Sequence, residues 1–283
     1  MNKFTRYAMT VLSSLILCIS CFADKHKHTC PQIKTQYGQC INIGNHFLYT
    51  EIRGNKGPTV VFESGRGNSS ESWKEVSTIV SKFAKTIIYD RSGLGFSQNS
   101  NRPATAKHIA KNLKILLSKT QLPPPYILVG HSDGGLFVQM FARLYPKLVR
   151  AIVLVDSASQ NQTFTNPLPT KSSIDYKESV GFRISKEQLK KAPKFPHIPL
   201  IVLTATWHGS QNPNHILHLI CNDRPCNMTE KQNENIWKKL QNQLANLSPH
   251  SIHMYAYGSG HFIQDYQPQL IVDAIYTLVV QSK

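Results

Sequence analysis

Acidic residues are scarce in this chain, and patterns that would divide it or bind a metal are missing. The 283 residues contain 16 Asp and Glu against 32 Lys and Arg, a formal net charge of +16. No internal repeat, low-complexity tract or Pro/Gly/Ser-rich linker interrupts the chain, which argues against solenoids and tandem modules. Beyond residue 23 there is no CxxC or HxxxH pair, which argues against a metal site.

The basic excess comes without the features of a nucleic-acid-binding protein. Lysines are dispersed along the chain, and no recognised nucleic-acid-binding motif accompanies them. A net positive charge favours non-specific attraction to anionic surfaces. We therefore expect a basic, solubilising surface, peripheral attraction to anionic surfaces and no nucleic-acid partner. The oligomeric state is not encoded in any pattern.

The N-terminal segment has the pattern of a secretory signal peptide. Two basic residues precede an apolar run at 7–22, which is too short to span a membrane comfortably. Ala23 supplies a small residue before a plausible cleavage site. We expect export to the periplasm or the medium with residues 1–23 removed. A lipid-modified Cys21, and hence a lipoprotein, is the alternative.

The cysteines that remain after cleavage predict disulfides. Removal of residues 1–23 would leave four cysteines. An even number in an oxidising compartment is typical of disulfide bonding. We expect Cys30 and Cys40 to tie down the mature N-terminus, and Cys221 and Cys226 to close a tight loop.

Apolar strand patterns alternate with helical patterns along most of the chain. The predicted strands are 47–53, 59–63, 86–89, 126–129, 151–155, 200–204 and 252–257. The predicted helices are 72–83, 104–118, 136–144 and 270–280. Most strands are continuous apolar runs, which predicts a mostly parallel sheet with both faces covered by helices. We expect one α/β domain over residues 24–283.

One polar stretch breaks this alternation. Residues 157–197, between two predicted strands, are polar and contain several Lys and Pro. We expect an insertion there that caps the active site. It carries no motif that identifies a pocket.

A serine occupies a sharp turn between a predicted strand and a predicted helix. Residues 130–134 have the sequence Gly-His-Ser-Asp-Gly and follow the strand 126–129. The flanking glycines permit a turn that is too tight for large side chains and force the serine into an exposed, strained position. At a helix start, Ser132 Oγ also benefits from the helix dipole. The pattern predicts Ser132 as a nucleophile, and an ordinary helix-capping serine is the alternative.

A serine hydroxyl needs a base to remove its proton. His261 follows the last predicted strand and is preceded by Gly258 and Gly260. Ligand sites of open α/β sheets gather at the carboxyl ends of the strands, where Ser132 also emerges. We therefore expect His261 to be the general base. His131 is expected to pack or hydrogen-bond locally instead.

Four motifs together resemble the α/β-hydrolase superfamily, close to its esterase and lipase-like members. In chain order they are 63–67, 89–97, 130–134 and 258–262, with the sequences ESGRG, YDRSGLGFS, GHSDG and GSGHF. The resemblance extends from about Gly44 to the C-terminus. It implies the α/β-hydrolase fold with a cap insertion after the sixth strand, and chemistry that needs no metal or organic cofactor.

The resemblance also implies an oxyanion hole. In the family one donor is the backbone N–H after the nucleophile, here Asp133, and the other follows the third strand, here Arg66. This chain has Glu-Ser-Gly at 63–65 where many relatives have His-Gly, so the second donor departs from the common pattern. The Arg66 side chain would either hold an anionic substrate group or be an ordinary surface arginine.

The acid that orients the histidine has two candidates. In most relatives it follows the strand found here at 200–204, but no acid occurs after that strand until Asp223. Asp156 ends the preceding predicted strand, where some superfamily members place the acid. A carboxylate must orient the imidazole and stabilise the imidazolium. We expect Asp156 in this role, with Asp223 as the alternative.

These residues predict acyl transfer to water by an exported serine esterase. Ser132 would attack the carbonyl of a small ester, or of an amide, while His261 moves the proton and backbone amides hold the oxyanion. An aminopeptidase, a lactonase or an acyltransferase using the same site is one alternative. A non-catalytic binding protein that retains the fold is another, although it would not need the intact serine and histidine.

Overall fold

One sheet of eight strands organises the chain. The computed structural model describes residues 30, 33–100, 102–162, 170–171, 173–206 and 230–281. In these ranges the strands are β1 Gly38–Asn42, β2 Phe47–Arg53, β3 Thr59–Glu63, β4 Lys85–Tyr89, β5 Tyr126–His131, β6 Val149–Val155, β7 Leu200–Ala205 and β8 Ser251–Ala256. Their order is β1-β2-β4-β3-β5-β6-β7-β8. The pairs β1–β2 and β2–β4 are antiparallel and all other neighbours are parallel, which confirms the predicted sheet.

Helices cover both faces of this sheet. They are α1 Lys74–Val80, α2 Ala106–Thr120, α3 Gly134–Leu144, α4 Ile174–Lys190, α5 Glu230–Ala245, α6 Ile263–Tyr266 and α7 Pro268–Val280. Side chains of α2, α3 and α4 join one apolar core cluster with the sheet, and those of α1 and α7 join a second. Because both faces are buried, the parallel strands consist of continuous apolar runs. Within the described ranges, no helix has the length and apolarity needed to cross a membrane.

The strand register brings several loops to one edge of the sheet. Glu63, the last residue of β3, lies opposite Gly130 on β5. His131, the last residue of β5, lies opposite Val155, the last residue of β6. The segments that follow β3, β5 and β6 therefore leave the sheet side by side. This arrangement lets distant parts of the sequence build one site.

Two long helices, and the four-residue helix α6, were not visible as sequence patterns. α4 lies inside the polar stretch 157–197, yet its Phe182 and Leu189 are buried in the core cluster beside α2 and α3. α5 is also mostly polar, and it buries Trp237 and Leu240. In both helices a few apolar side chains on one face suffice for docking, and the many polar residues around them obscure the helical period.

The structure describes two of the four cysteines that follow residue 23. Cys30 is buried, and its sulfur contacts that of Cys40 with the Cα atoms 5.5 Å apart. This Cα separation suits a disulfide bond. Cys221 and Cys226 lie outside the described residues, as do the predicted signal peptide and Cys21.

Candidate active site

The turn between β5 and α3 presents Ser132. Ser132 has a φ of 52°, in the left-handed region, and is half-buried between two buried neighbours. Its backbone N–H donates to Val155 O at 3.2 Å, and its carbonyl accepts from Gly135 at 3.0 Å. A Cβ at Gly130 would lie 2.8 Å from the carbonyl oxygen of Gly134. The glycine at the end of the strand is therefore required for the sharp turn.

Asp156 and His261 form a buried pair. Asp156 follows β6, His261 follows β8, and His261 Nδ1 lies 2.7 Å from Asp156 Oδ2. The other carboxylate oxygen of Asp156 accepts from Ala205 N at 3.0 Å and from Trp237 Nε1 at 2.8 Å. Three N–H donors thus orient a carboxylate that is fully buried, and they offset the cost of burying it.

This pairing decides which ring nitrogen of His261 can act as a base. The Asp156 carboxylate accepts a hydrogen bond, so Nδ1 carries the proton and Nε2 has a free lone pair. Nε2 is buried and has no hydrogen-bond partner among the described residues. No hydrogen bond joins it to Ser132 in this state. In free enzymes such contacts often tighten only when the substrate binds.

His131 links the histidine loop to the nucleophile turn. Its Nε2–H donates to the carbonyl oxygen of His261 at 3.0 Å, and the two ring centroids are 4.6 Å apart. Burial, together with the nearby His261, lowers the pKa of His131 to about 3. His131 is therefore a neutral packing group, as the sequence predicts. Because His131 precedes Ser132 directly, this hydrogen bond ties the backbone of the His261 loop to the turn at Ser132.

The loop after β3 approaches the nucleophile turn closely. A Cβ at Gly65 would lie 3.1 Å from Ser132 Cβ and 2.9 Å from His131 Nδ1. The next residue is Arg66, so the two predicted oxyanion donors lie on segments that meet at Ser132. The backbone N–H of Asp133 makes no hydrogen bond within the described part of the chain. It can therefore donate to a substrate oxygen.

The Arg66 side chain lies between the turn at Ser132 and helix α4. Its Nε donates to Asp133 Oδ2 at 2.7 Å, and its guanidinium packs over the Phe182 ring at 4.9 Å. The side chain is 25% exposed and pairs with a buried acid through Nε, and its part in holding an anionic substrate group stays a prediction. Burial raises the pKa of Asp133, and Arg66 opposes this effect.

A buried charge cluster next to this loop was not predicted from the sequence. Arg91, just after β4, forms ion pairs with Glu63 at the end of β3 and with Glu178 on α4. Burial raises the pKa of Glu63, against the effect of Arg91. Glu63 ends β3 and Arg91 lies two residues after the neighbouring strand β4, and this was a usable signal. Glu178 lies on a helix that the sequence did not reveal.

Other predicted groups are not placed. Asp223, the alternative acid, lies outside the described residues. Within the described ranges, no three His, Cys, Asp or Glu side chains are arranged to hold a metal ion. At the sheet edge from which the turn at Ser132 emerges, the structure brings together the Asp156 carboxylate and the His261 imidazole.

The sequence is similar to a family model and to two bacterial proteins. Residues 58–193 match the family model described as alpha/beta hydrolase fold. The chain is 28% identical to the uncharacterized protein YqjL of Bacillus subtilis over 233 residues, which are 79% of this chain and 84% of YqjL. It is 29% identical to YbdG of the same bacterium over 150 residues, which are 52% of this chain and 45% of YbdG.

A solved structure shares the fold at low sequence identity. The thermophilic esterase from Thermogutta terrifontis superposes with a TM-score of 0.61 at 17% identity, covering 86% of this chain and 98% of the esterase. This likeness concerns the fold alone. Together with the family-model match and the sheet described above, it shows that the chain has the α/β-hydrolase fold.

Proposed function

We propose that this α/β-hydrolase cleaves the ester bond of a small molecule through an acyl-enzyme on Ser132. The observation that carries the proposal is the buried Asp156–His261 pair, 2.7 Å apart, at the sheet edge where Ser132 emerges. His261 Nε2 is left without a partner among the described residues. A buried nitrogen without a partner is costly, and a serine proton would satisfy it.

The proposed reaction has two halves. Ser132 Oγ bonds to the ester carbonyl carbon while His261 Nε2 takes the hydroxyl proton, and Asp156 stabilises the imidazolium. The carbonyl oxygen becomes an oxyanion held by the backbone N–H groups of Asp133 and Arg66. The alcohol leaves with the proton from His261. Water then attacks the acyl-enzyme with His261 as base, releasing the acid and restoring Ser132.

Helix α4, within the predicted cap at 157–197, lies beside the loop that follows β3. Residues 157–197 contain α4, whose Phe182 lies under the Arg66 guanidinium. Arg66 is one of the two proposed oxyanion donors. We therefore propose that this stretch covers the site and shapes substrate access.

Covalent labelling tests the proposed nucleophile. Wild-type protein is expected to react with a fluorophosphonate probe, and Ser132→Ala to lose all labelling because the attacking oxygen is gone. Ser118→Ala, an exposed serine on α2, is the matched control and should label like wild type. Absence of labelling in folded wild-type protein would favour a non-catalytic binding protein and contradict the proposal.

A substrate panel then separates reactions that share the site. p-Nitrophenyl esters of increasing chain length would be compared with aminoacyl anilides under the same conditions. Turnover of the esters supports the proposal. Turnover of anilides alone would assign the site to an aminopeptidase and overturn the ester assignment.

We also propose that the chain is exported and that Cys30 and Cys40 form a disulfide. The signal-peptide pattern and the 5.5 Å Cα separation support this. Non-reducing mass spectrometry of the exported protein is expected to show an N-terminus at Asp24 and no free thiols. Lipid mass on Cys21 would indicate a lipoprotein instead. Alkylated thiols at Cys30 and Cys40 would contradict the disulfide.

A further inference from the structure

Three buried charges have no part in the proposed mechanism. The side chains of Glu63, Arg91 and Glu178 are 1%, 4% and 4% exposed. Glu63 ends β3, Arg91 lies two residues after β4, and Glu178 lies on α4 in the proposed cap. Removing charges from water is costly unless every group finds partners. Their location beside the loop after β3 suggests what they do.

Arg91 uses all of its hydrogen-bonding capacity. A guanidinium has five N–H donors. Nε and Nη2 donate to Glu178 Oε1 at 3.1 and 2.7 Å, and Nη1 donates to Glu63 Oε1 at 2.9 Å. The remaining donors reach two backbone carbonyls, that of Ser64 at 2.6 Å and that of Gly65 at 2.8 Å. Arg91 therefore ties two carboxylates and two consecutive peptide units together.

The same cluster also holds the far side of the loop. Glu178 Oε2 accepts from the backbone N–H of Gly67 at 2.5 Å. Arg66 is thus flanked by Gly65, bound to Arg91, and by Gly67, bound to Glu178. Since a Cβ at Gly65 would lie 3.1 Å from Ser132 Cβ, this loop has little freedom relative to the serine. The ion cluster adds hydrogen bonds to this loop on both sides of Arg66.

We propose that Arg91, clamped between Glu63 and Glu178, is a positioning residue for the oxyanion loop, residues 64–67. It would hold the Arg66 backbone N–H at the place where the tetrahedral oxyanion develops. The inference rests on the proposed function, because it assigns a role within that site. It also makes the cap-region helix part of the catalytic framework, through the Glu178 carboxylate.

Lysine cannot replace Arg91 in this role. An ammonium is a compact point charge with three donors, and it cannot reach both carbonyls and both carboxylates as the planar guanidinium does. In Arg91→Lys, we expect kcat and the rate of phosphonylation at Ser132 to fall by about 100-fold, as when an oxyanion donor is lost. KM for the ester should change little, because the loop acts on the transition state.

A matched variant separates this role from general stabilisation. Arg143 on α3 is another arginine of low exposure, and its Nη1 donates to Pro193 O at 2.7 Å, beyond the C-terminus of α4. This hydrogen bond and the contact of Arg143 with the Phe195 ring at 5.7 Å do not involve residues 64–67. Arg143→Lys is expected to keep wild-type kcat and KM. Thermal unfolding would verify that both lysine variants are folded.

Binding of a boronic acid that forms a tetrahedral adduct on Ser132 gives a second readout. If Arg91 positions the loop, Arg91→Lys loses boronate affinity in parallel with kcat while KM for the ester is retained. If the variant does not fold, the isosteric Glu178→Gln carries the same test, with an expected loss of about 10-fold in kcat.

The outcomes separate the two proposals. Wild-type protein that fails to react at Ser132 would overturn the proposed function itself. Wild type that reacts, with folded Arg91→Lys or Glu178→Gln matching Arg143→Lys in kcat and boronate affinity, would overturn only the positioning role.

Discussion

Replacing His261 with glutamine is expected to lower kcat for ester hydrolysis by about 10⁶-fold, since nucleophile and base act as one unit. Glutamine can form a hydrogen bond but cannot take the serine proton at neutral pH. Because the groups act together, the double variant Ser132→Ala/His261→Gln should be no slower than either single variant. Steady-state kinetics with purified protein would measure all three rates.

His253 supplies the control for this experiment. It lies on β8, the strand that leads to the His261 loop, and its Nε2 is 2.8 Å from Thr204 Oγ1. His253→Gln keeps a hydrogen-bonding group there and should leave kcat near the wild-type value. A His261→Gln variant that retains most of its activity would show that another group removes the serine proton.

Asp156→Asn is expected to lower kcat by about 10⁴-fold with little change in KM. The asparagine amide can turn its NH2 toward His261 Nδ1, which would place the ring proton on Nε2. That nitrogen could then no longer accept the proton of Ser132. The variant also loses the negative charge that stabilises the imidazolium.

Asp223→Asn tests the alternative acid in the same assay. We expect it to leave turnover largely intact, because the Asp156 carboxylate already accepts a hydrogen bond from His261 Nδ1 at 2.7 Å. A severe loss in Asp223→Asn, together with a mild one in Asp156→Asn, would reassign the acid. Circular dichroism of both variants would exclude unfolding as the cause of any loss.

Local patterns made the core of the site predictable. The turn around Ser132 is recognisable in the sequence from its flanking glycines and from the strand before it. Asp156 and His261 follow strands, and parallel strands end at one edge, so their meeting point follows from topology. The strands themselves were visible because burial on both faces demands continuous apolar runs.

The partners of these groups were not predictable because they depend on how helices dock. Trp237 donates to Asp156 across 81 residues of sequence, and Glu178 meets Arg91 across 87. Both come from helices with mostly polar sequences. From the sequence alone, a charged residue in such a helix is expected to be exposed to solvent.

The backbone at the site has a consequence for engineering this protein. Among the described residues, three that are not glycine have a positive φ, and two of these are Ser132 and Asp156. Such conformations cost about 1–3 kcal/mol each. Glycine would relax either position but would delete the hydroxyl or the carboxylate. Gains in thermal resistance must therefore be sought away from these two turns.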